Sequence, residues 1–439
     1  MLKLRYYFRL TTAFLSRFKG IIFVGIVAGI LIFLAIQVLT PILKVKKIQI
    51  IGVAGRYQTS NLPDFIIKQI STGLTAIDSN HIVQPALATS WESPDKGKTW
   101  FFHLQSNVVW QDGQKVKSSD IVYQYSDVKT EYPDDKTIKF TLDNSYSLFP
   151  YVVAKPVFKK GLLGIGDANV KKLSLTGDFI SELYVVTKSS KTRYKFYPTE
   201  ERLKLAYKLG EVATAVSIYN PSPFQNWQVA RSHEEINRNQ VVTLFFNTKD
   251  ALLSDKALRQ ALIYAINKDE LPGERAFSPI SPESYFYNPL VKKYPYDVGK
   301  AQETIKDIPD ELKANFPLKL VSTPLLLEEA EKIADYWNKV GIPTQVQVTS
   351  VVPSDFQVYL TIFEIPKNPD QYSLWHSTQS ATNIAKYKSD RIDKILEDAR
   401  SEMNLEEQKS LYFDFQRFLM EDLPAAFLYH PKVYTIEHK

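Results

Sequence analysis

The chain has 439 residues, 54 Lys and Arg against 48 Asp and Glu, no cysteine, and 25 Tyr with 25 Phe. The lack of cysteine excludes disulfides, thiolate metal sites and lipidation of an N-terminal cysteine. Nine of the basic residues and none of the acidic ones precede residue 64, so the basic excess belongs to the N-terminal end. It does not form the clustered basic face on a folded body that nucleic-acid binding requires, and no nucleic-acid partner is expected.

Residues 1–19 are a basic segment in which Arg5 to Phe18 mixes basic and aromatic side chains, a composition suited to the inner headgroup layer. Residues 20–43 (GIIFVGIVAGILIFLAIQVLTPIL) follow without a charge, bracketed by Lys19 and Lys44. As a helix this run reaches about 36 Å, enough to cross a hydrocarbon core of about 30 Å. It is longer than a signal-peptide core and ends on Lys44, Lys46 and Lys47 with no small-residue cleavage site, which favours a retained anchor. Five Lys or Arg before the run and four soon after it give a slight bias toward a cytoplasmic N-terminus. The expected location is therefore a single-pass plasma-membrane protein with its main domain extracellular or periplasmic.

The body interleaves strands and helices, an α/β or α+β pattern. KTWFFHL (98–104) and KTIKFTL (136–142) alternate apolar and polar residues, and Val108–Trp110 reads as a further strand closed by Asp112-Gly113. Trp91 and Trp110 belong to this unit's core. Farther on, Ser254 is placed to cap a helix over 255–268, with Ala257, Leu258, Ala261, Leu262, Ala265 and Ile266 as its buried stripe. Residues 328–340 repeat that stripe, Gly341 stops them, and 344–348 follows as a strand, which predicts a βαβ unit. Asn404 with Glu407 reads as a capping box opening a last helix.

Catalytic signatures are missing. No Walker loop, HExxH or GxSxG occurs; Gly164-Ile165-Gly166 lacks the third glycine of a dinucleotide fingerprint, and His233-Glu234-Glu235 lacks a second histidine. The reading is of a non-enzymatic protein that needs no cofactor and no metal. A hydrolase stays as an alternative, since acid–base sites can be dispersed in sequence. So does a signalling or chaperone-like module that holds peptides without transport.

Residues 86–123 (ALATSWESPDKGKTWFFHLQSNVVWQDGQKVKSSDIVY) resemble the signature of the extracellular solute-binding proteins of family 5, the peptide/nickel-type substrate-binding proteins of ABC importers. Ser90, Trp91, Gly97, Asp112, Gly113, Asp120 and Ile121 carry the match. Further blocks follow in order: Phe246-Asn247-Thr248 with Leu258-Arg259-Gln260-Ala261-Leu262, Asp297 to Ala301, Val340-Gly341-Ile342, Pro369-Asp370-Gln371-Tyr372, and Leu411-Tyr412. The resemblance implies an α/β, two-lobed periplasmic-binding-protein-like fold of type II with an inserted strand-rich domain. Mapped by motif order, lobe I gathers 50–63, 155–245 and 425–439, the inserted domain is 64–154, and lobe II is 246–424.

The function implied is capture of peptides, or a similar small solute, in an interlobe cleft and delivery to the permease subunits of an ABC importer. The ligand-binding residues implied are Tyr57, Phe363, Glu364, Ile365, Tyr372 and Trp375. Peptide-binding members commonly place an aspartate against the ligand's α-ammonium; that position falls on Ile365 here, so Glu364, one residue away, is the implied partner. A one-residue shift turns a strand side chain to the other face. Phe363 to Ile365 offer backbone groups to an added strand or form an ordinary central strand. Trp375 either lines the cleft or anchors the second lobe's core, and Tyr57 either meets ligand or packs. The inserted domain is short after Tyr125, running straight into Ser126-Asp127-Val128, and relatives run on past the point where this chain stops at Lys439.

Overall fold

In the computed structural model, which describes residues 2–42, 48–309 and 316–439, the chain divides into two units: Met1–Gln49 with Ser189–Lys191, and Ile50–Lys188 with Thr192–Lys439. The first holds one helix, Leu2–Ile42. Its stretch Leu15–Leu34 has a mean hydropathy of 2.2, with none of it buried, and is long and apolar enough to cross a membrane. The expected end of the anchor at Leu43 and its basic exit (Lys44, Lys46, Lys47) lie outside the described residues.

The larger unit is built on two mixed sheets, a four-stranded antiparallel sheet and a two-stranded ribbon of Thr75–Ile77 with Val83–Pro85. The first sheet has seven strands in the order Ala230–Ile236, Lys432–His438, Thr214–Ile218, Ile48–Ala54, Lys191–Tyr197, Phe179–Val186 and Asn169–Thr176. Alternation along 50–54 serves both of its faces. Val53 joins Ile66, Ile70, Ile180 and Leu183 in one core, while Ile50 and Ala54 pack with Leu203, Tyr207 and Ile218 in the other. Gly52 lets the helix Glu200–Lys208 lie directly on the sheet: a Cβ there would stand 2.3 Å from a Leu203 methyl.

The second sheet has six strands, in the order Glu274–Arg275, Ala425–His430, Gln240–Phe246, Val358–Glu364, Leu318–Ser322 and Thr344–Val348. The expected βαβ unit is here: Leu318–Ser322 and Thr344–Val348 run parallel, with Leu318 opposite Thr344, joined by the helix Leu327–Lys339. That helix buries Ala330, Ile333 and Trp337 on the sheet, and the Trp337 indole donates to the Leu262 carbonyl at 2.8 Å. Each fully buried aliphatic or phenyl side chain of this core contributes about 1.5–3 kcal/mol. Gly341 ends the helix at φ +94°, a conformation costly to any residue with a Cβ.

Several local expectations need correction. The helix foreseen over 255–268 runs Lys256–Tyr264; Asp255, not Ser254, caps it, because the Asp255 carboxylate accepts the amides of Ala257 and Leu258. Asn404 accepts the amides of Glu406 and Glu407, but its own amide donates to Glu402, so only half of the capping box forms. Val108–Trp110 makes a single bridge, Val109 to Lys115, instead of a strand. Trp110 is buried and its indole donates to Asp120 at 3.1 Å, whereas Trp91 is only half-buried, stacked on Phe102.

The four-stranded sheet, in the order Ala88–Glu92, Thr99–Leu104, Thr137–Leu142 and Val128–Asp134, has its own core of Trp100, Phe102, Trp110, Ile138, Phe140 and Phe149. It is fastened to the first sheet's core through Gln111, whose side-chain amide donates to the carbonyls of Ile70, Gly166 and Ala168 at 2.9–3.1 Å. Gly164 and Gly166 permit that approach; a Cβ on them would stand 2.2 Å from the Ile70 carbonyl oxygen and 2.3 Å from that of Gln69. The four cores do not divide at the motif-based boundaries. The helix Asp64–Ile70 packs in the first sheet's core, and Gln240–Phe246 and Ala425–His430 are strands of the second sheet. The chain thus passes between the large sheets at 237–239 and again at Pro431.

Arg259, in the Leu-Arg-Gln-Ala-Leu block, is buried and devoted to structure. Its guanidinium donates to the carbonyls of Leu253, Ser254, Asp422 and Leu423, where the helix Leu405–Asp422 ends on a left-handed Leu423. Four carbonyls at helix and turn ends thereby find donors that the backbone cannot supply.

Candidate functional site

Where the chain crosses between sheets, residues from both converge. Tyr57 follows the strand Ile48–Ala54, and its hydroxyl donates back to the Ala54 carbonyl at 3.1 Å. Tyr219 leaves the parallel neighbour of that strand, and its hydroxyl donates to the Gln240 side-chain carbonyl at 2.8 Å. Gln240 opens the central strand of the second sheet, and its amide donates to Glu364, directly opposite it in register. Burial first, and then the Glu364 carboxylate, raise the Tyr57 phenol above its ordinary value. Burial, with smaller contributions from Glu364 and Tyr57, pushes Tyr219 up to about 12. Both phenols are therefore neutral donors near neutral pH, facing one exposed carboxylate.

A second pair lies close by. Lys367, just past the strand Val358–Glu364, is 2.7 Å from Asp64 at the start of the helix Asp64–Ile70. Burial pushes the Asp64 carboxyl up, but Lys367 and then Lys68 outweigh it and hold it below its ordinary value. On the other side Arg238 grips Glu274 with two bonds of 2.7 and 2.6 Å. A carboxylate, two phenols and a lysine from opposing sheets are a set that can take an ammonium, a carboxylate and the amide groups between them.

The strand Val358–Glu364 has a half-open edge. It pairs along its full length with Gln240–Phe246, but its pairing with Leu318–Ser322 stops at Leu360. Backbone groups of 361–364 face that free edge, next to Glu364.

The six residues expected to bind ligand separate into three groups. Tyr57 and Glu364 meet in the crossing region. Phe363, Ile365 and Trp375 are buried, at 8 %, 4 % and 1 % exposure, and their side chains belong to the second sheet's core. Phe363 packs edge-on to Phe245 at 5.7 Å, and Trp375 stacks on Phe245 while its indole donates to Gln371 at 3.1 Å. The Trp375 alternative of a cleft wall is thus displaced by the core one, because the short helix Tyr372–Trp375 turns that face inward. Tyr372 stands elsewhere, stacked on His376 at 4.0 Å beside a separate cavity. Tyr219, Gln240 and Lys367 were not foreseen. The one sequence signal for Tyr219 is its place directly after an apolar strand, in a chain rich in tyrosine.

Two mixed sheets, twice crossed by the chain, with polar groups of both turned toward the crossings, define a two-lobed binding protein of type II. The family model for bacterial extracellular solute-binding proteins, family 5 middle, matches residues 83–187 and 184–384, and the chain belongs to that family. Among relatives, the oligopeptide-binding protein AppA of Bacillus subtilis is 23% identical, over 85% of this chain and 83% of its own. The dipeptide-binding protein of Escherichia coli is 24% identical, over 80% of this chain and 82% of its own. The fold is similar to that of NikZ from Campylobacter jejuni in complex with Ni(L-His), at a TM-score of 0.73 and 22% identity, covering 90% of this chain and 94% of that one. It is also similar to AppA from Bacillus subtilis in complex with a nonapeptide, at a TM-score of 0.68 and 18% identity, covering 89% and 94%.

Proposed function

We propose that this protein captures short peptides between its two large sheets, without altering them, and delivers them to the permease of an ABC importer while its N-terminal helix keeps it at the outer face of the plasma membrane. The observation that carries the reading is the convergence of Tyr57 and Tyr219 from one sheet on Glu364 and Gln240 from the other. Glu364 supplies a charge for the peptide's ammonium, in the role the family resemblance implies for an acid near Ile365. The half-open edge at 361–364 offers main-chain pairing that is indifferent to side chains, as added-strand recognition requires. Family membership, and relatives whose names specify dipeptides and oligopeptides, support the substrate class. The exposed apolar stretch Leu15–Leu34 supports retention at a membrane.

A thermal-shift screen of the full-length protein in detergent tests this. A ligand that binds only the folded state raises the melting temperature, by an equivalent of about 2.7 kcal/mol at one hundred times its Kd. Pools of di- to pentapeptides should give a shift and be recovered intact. A shift with sugars or metal chelates and none with peptides rejects the peptide assignment.

A further inference from the structure

A second polar cavity lies away from the crossing region, between the four-stranded sheet and the helix Asp390–Ser401. Its volume is about 760 Å³, within the range of about 300–1,000 Å³ typical of small-molecule sites. One wall contains Tyr125, Asp127 and Val128, the stretch where the sequence runs short relative to the family pattern. Of the six residues expected to bind ligand only Tyr372 lines it.

The opposite wall is organised around Arg400. Its guanidinium lies between two tyrosine rings, 4.8 Å from the Tyr146 centroid and 4.3 Å from that of Tyr372. Its Nε is 3.2 Å from Asp370, and Asp370 also accepts the Tyr146 hydroxyl at 2.8 Å and the Tyr372 amide at 3.0 Å. One carboxylate thereby stands as counter-charge to the arginine, holds the Tyr146 hydroxyl and accepts the Tyr372 backbone amide, while the buried Arg400 Nε–H itself has no hydrogen-bond acceptor among the described residues. The two terminal nitrogens of Arg400 have no acceptor among the described residues, and the side chain keeps 35% of its exposure. A planar fork held between rings with its outer donors free is pre-organised for a carboxylate. Asp127, Asp143 and Glu397 line the same cavity. Asp127 and Asp143 are exposed and have no ion-pair partner among the described residues.

We infer that this cavity is a second ligand site, which takes a small zwitterion of short-peptide size with its carboxylate on Arg400 and its ammonium against the Asp127, Asp143 and Glu397 carboxylates. It shares no residue with the crossing region, so it stands or falls independently of the function proposed above.

Calorimetry on the full-length protein in detergent tests it, with trialanine as probe and N-acetyl-trialanine amide as the same chain with both charges removed. Free alanine distinguishes a bare amino acid from a peptide. Trialanine should bind, and blocking both ends should weaken it by about tenfold or more, the scale of one or two charge-assisted bonds. Arg400→Gln should abolish one trialanine site, and Asp143→Asn should weaken the same site several-fold without lowering the melting temperature, since Asp143 holds no partner. Glu364→Gln should leave that site untouched while weakening any site in the crossing region. The inference is overturned if Arg400→Gln and Asp143→Asn both leave the trialanine isotherm unchanged, if the blocked peptide binds as well as the free one, or if no heat is lost in either variant.

Discussion

The Asn237 amide donates to the Pro431 carbonyl at 2.9 Å, so the two segments that carry the chain between the large sheets are tied side by side. Each segment is only a few residues long, between Ile236 and Gln240 and between His430 and Lys432. Two short connections that lie side by side and run in opposite directions have the form of a hinge, which would let one sheet unit rotate on the other while resisting separation. Hinge closure on a ligand works in this way, with a few residues absorbing the change in backbone angle. Gln240 and Glu364 sit beside these connections, so a peptide held there, as proposed, would couple directly to the rotation.

Glu364→Gln keeps the side chain's size and a hydrogen-bonding partner for Gln240 but removes the charge. Affinity for peptides with a free ammonium should fall by about tenfold or more, while N-acetylated peptides should lose little. Calorimetry with matched free and acetylated peptides separates the two. Equal loss for both would move the ammonium site away from Glu364.

Trp375→Phe tests whether this tryptophan is core or cleft. The change removes the indole donor from Gln371, which is fully buried, and leaves a gap beside Phe245. Stability should fall by about 1–3 kcal/mol in urea unfolding. Peptide affinity should stay within about twofold of the parent, since the Trp375 side chain is buried in the second sheet's core.

Gly164→Ala should be among the most damaging single-methyl additions in the protein. The new Cβ would stand 2.2 Å from the Ile70 carbonyl oxygen and 2.6 Å from the Ser71 Cβ, atoms on or next to the backbone that cannot swing aside as a long side chain would. A loss of about 2 kcal/mol or more is expected, read as a lower urea midpoint at unchanged slope. Gly113→Ala is the control, because nothing stands within 4 Å of its added carbon and its cost is confined to the positive φ.

The Asp64–Lys367 pair should give the larger unit a pH-dependent stability that falls in acid. Asp64 is held below its ordinary 3.8 in the folded protein, so the stability it contributes is complete above that value and lost as the pH falls through the depressed one. Melting temperatures of the parent and of Asp64→Asn should therefore differ most at neutral pH and converge in acid. Because both side chains are partly exposed, raising the salt concentration should shrink the difference as well.

Much of the architecture can be read directly from the residues. The alternation in KTIKFTL, the stripe of Ala330, Ile333 and Trp337, and the glycine stop at Gly341 are local patterns, and each formed as expected. The ordered motifs from Ser90 to Tyr412 led to the family. The site was harder to read. Phe363, Glu364 and Ile365 alternate, and only the second sheet's packing decides that Glu364 alone faces out. Tyr219 and Gln240 are 21 residues apart and meet because two different sheets end at the same place. Trp375 has a sequence context equally suited to a cleft, and its direction is set by Phe245 and Phe427, which lie far from it in the chain. Pairings of this kind depend on which elements become neighbours, and no local periodicity encodes that.

Closure of a hinged body on a peptide is directly measurable here, because the sequence has no cysteine of its own. Arg202 and Glu331 are exposed and lie on helices of the first and second sheet units; as Arg202→Cys and Glu331→Cys they give a unique pair of spin-label sites. The distance distribution between them, measured by pulsed electron–electron double resonance in detergent, should shift and narrow on adding a peptide that raises the melting temperature. An unchanged distribution at saturating peptide would contradict closure and, with it, the mechanism of capture.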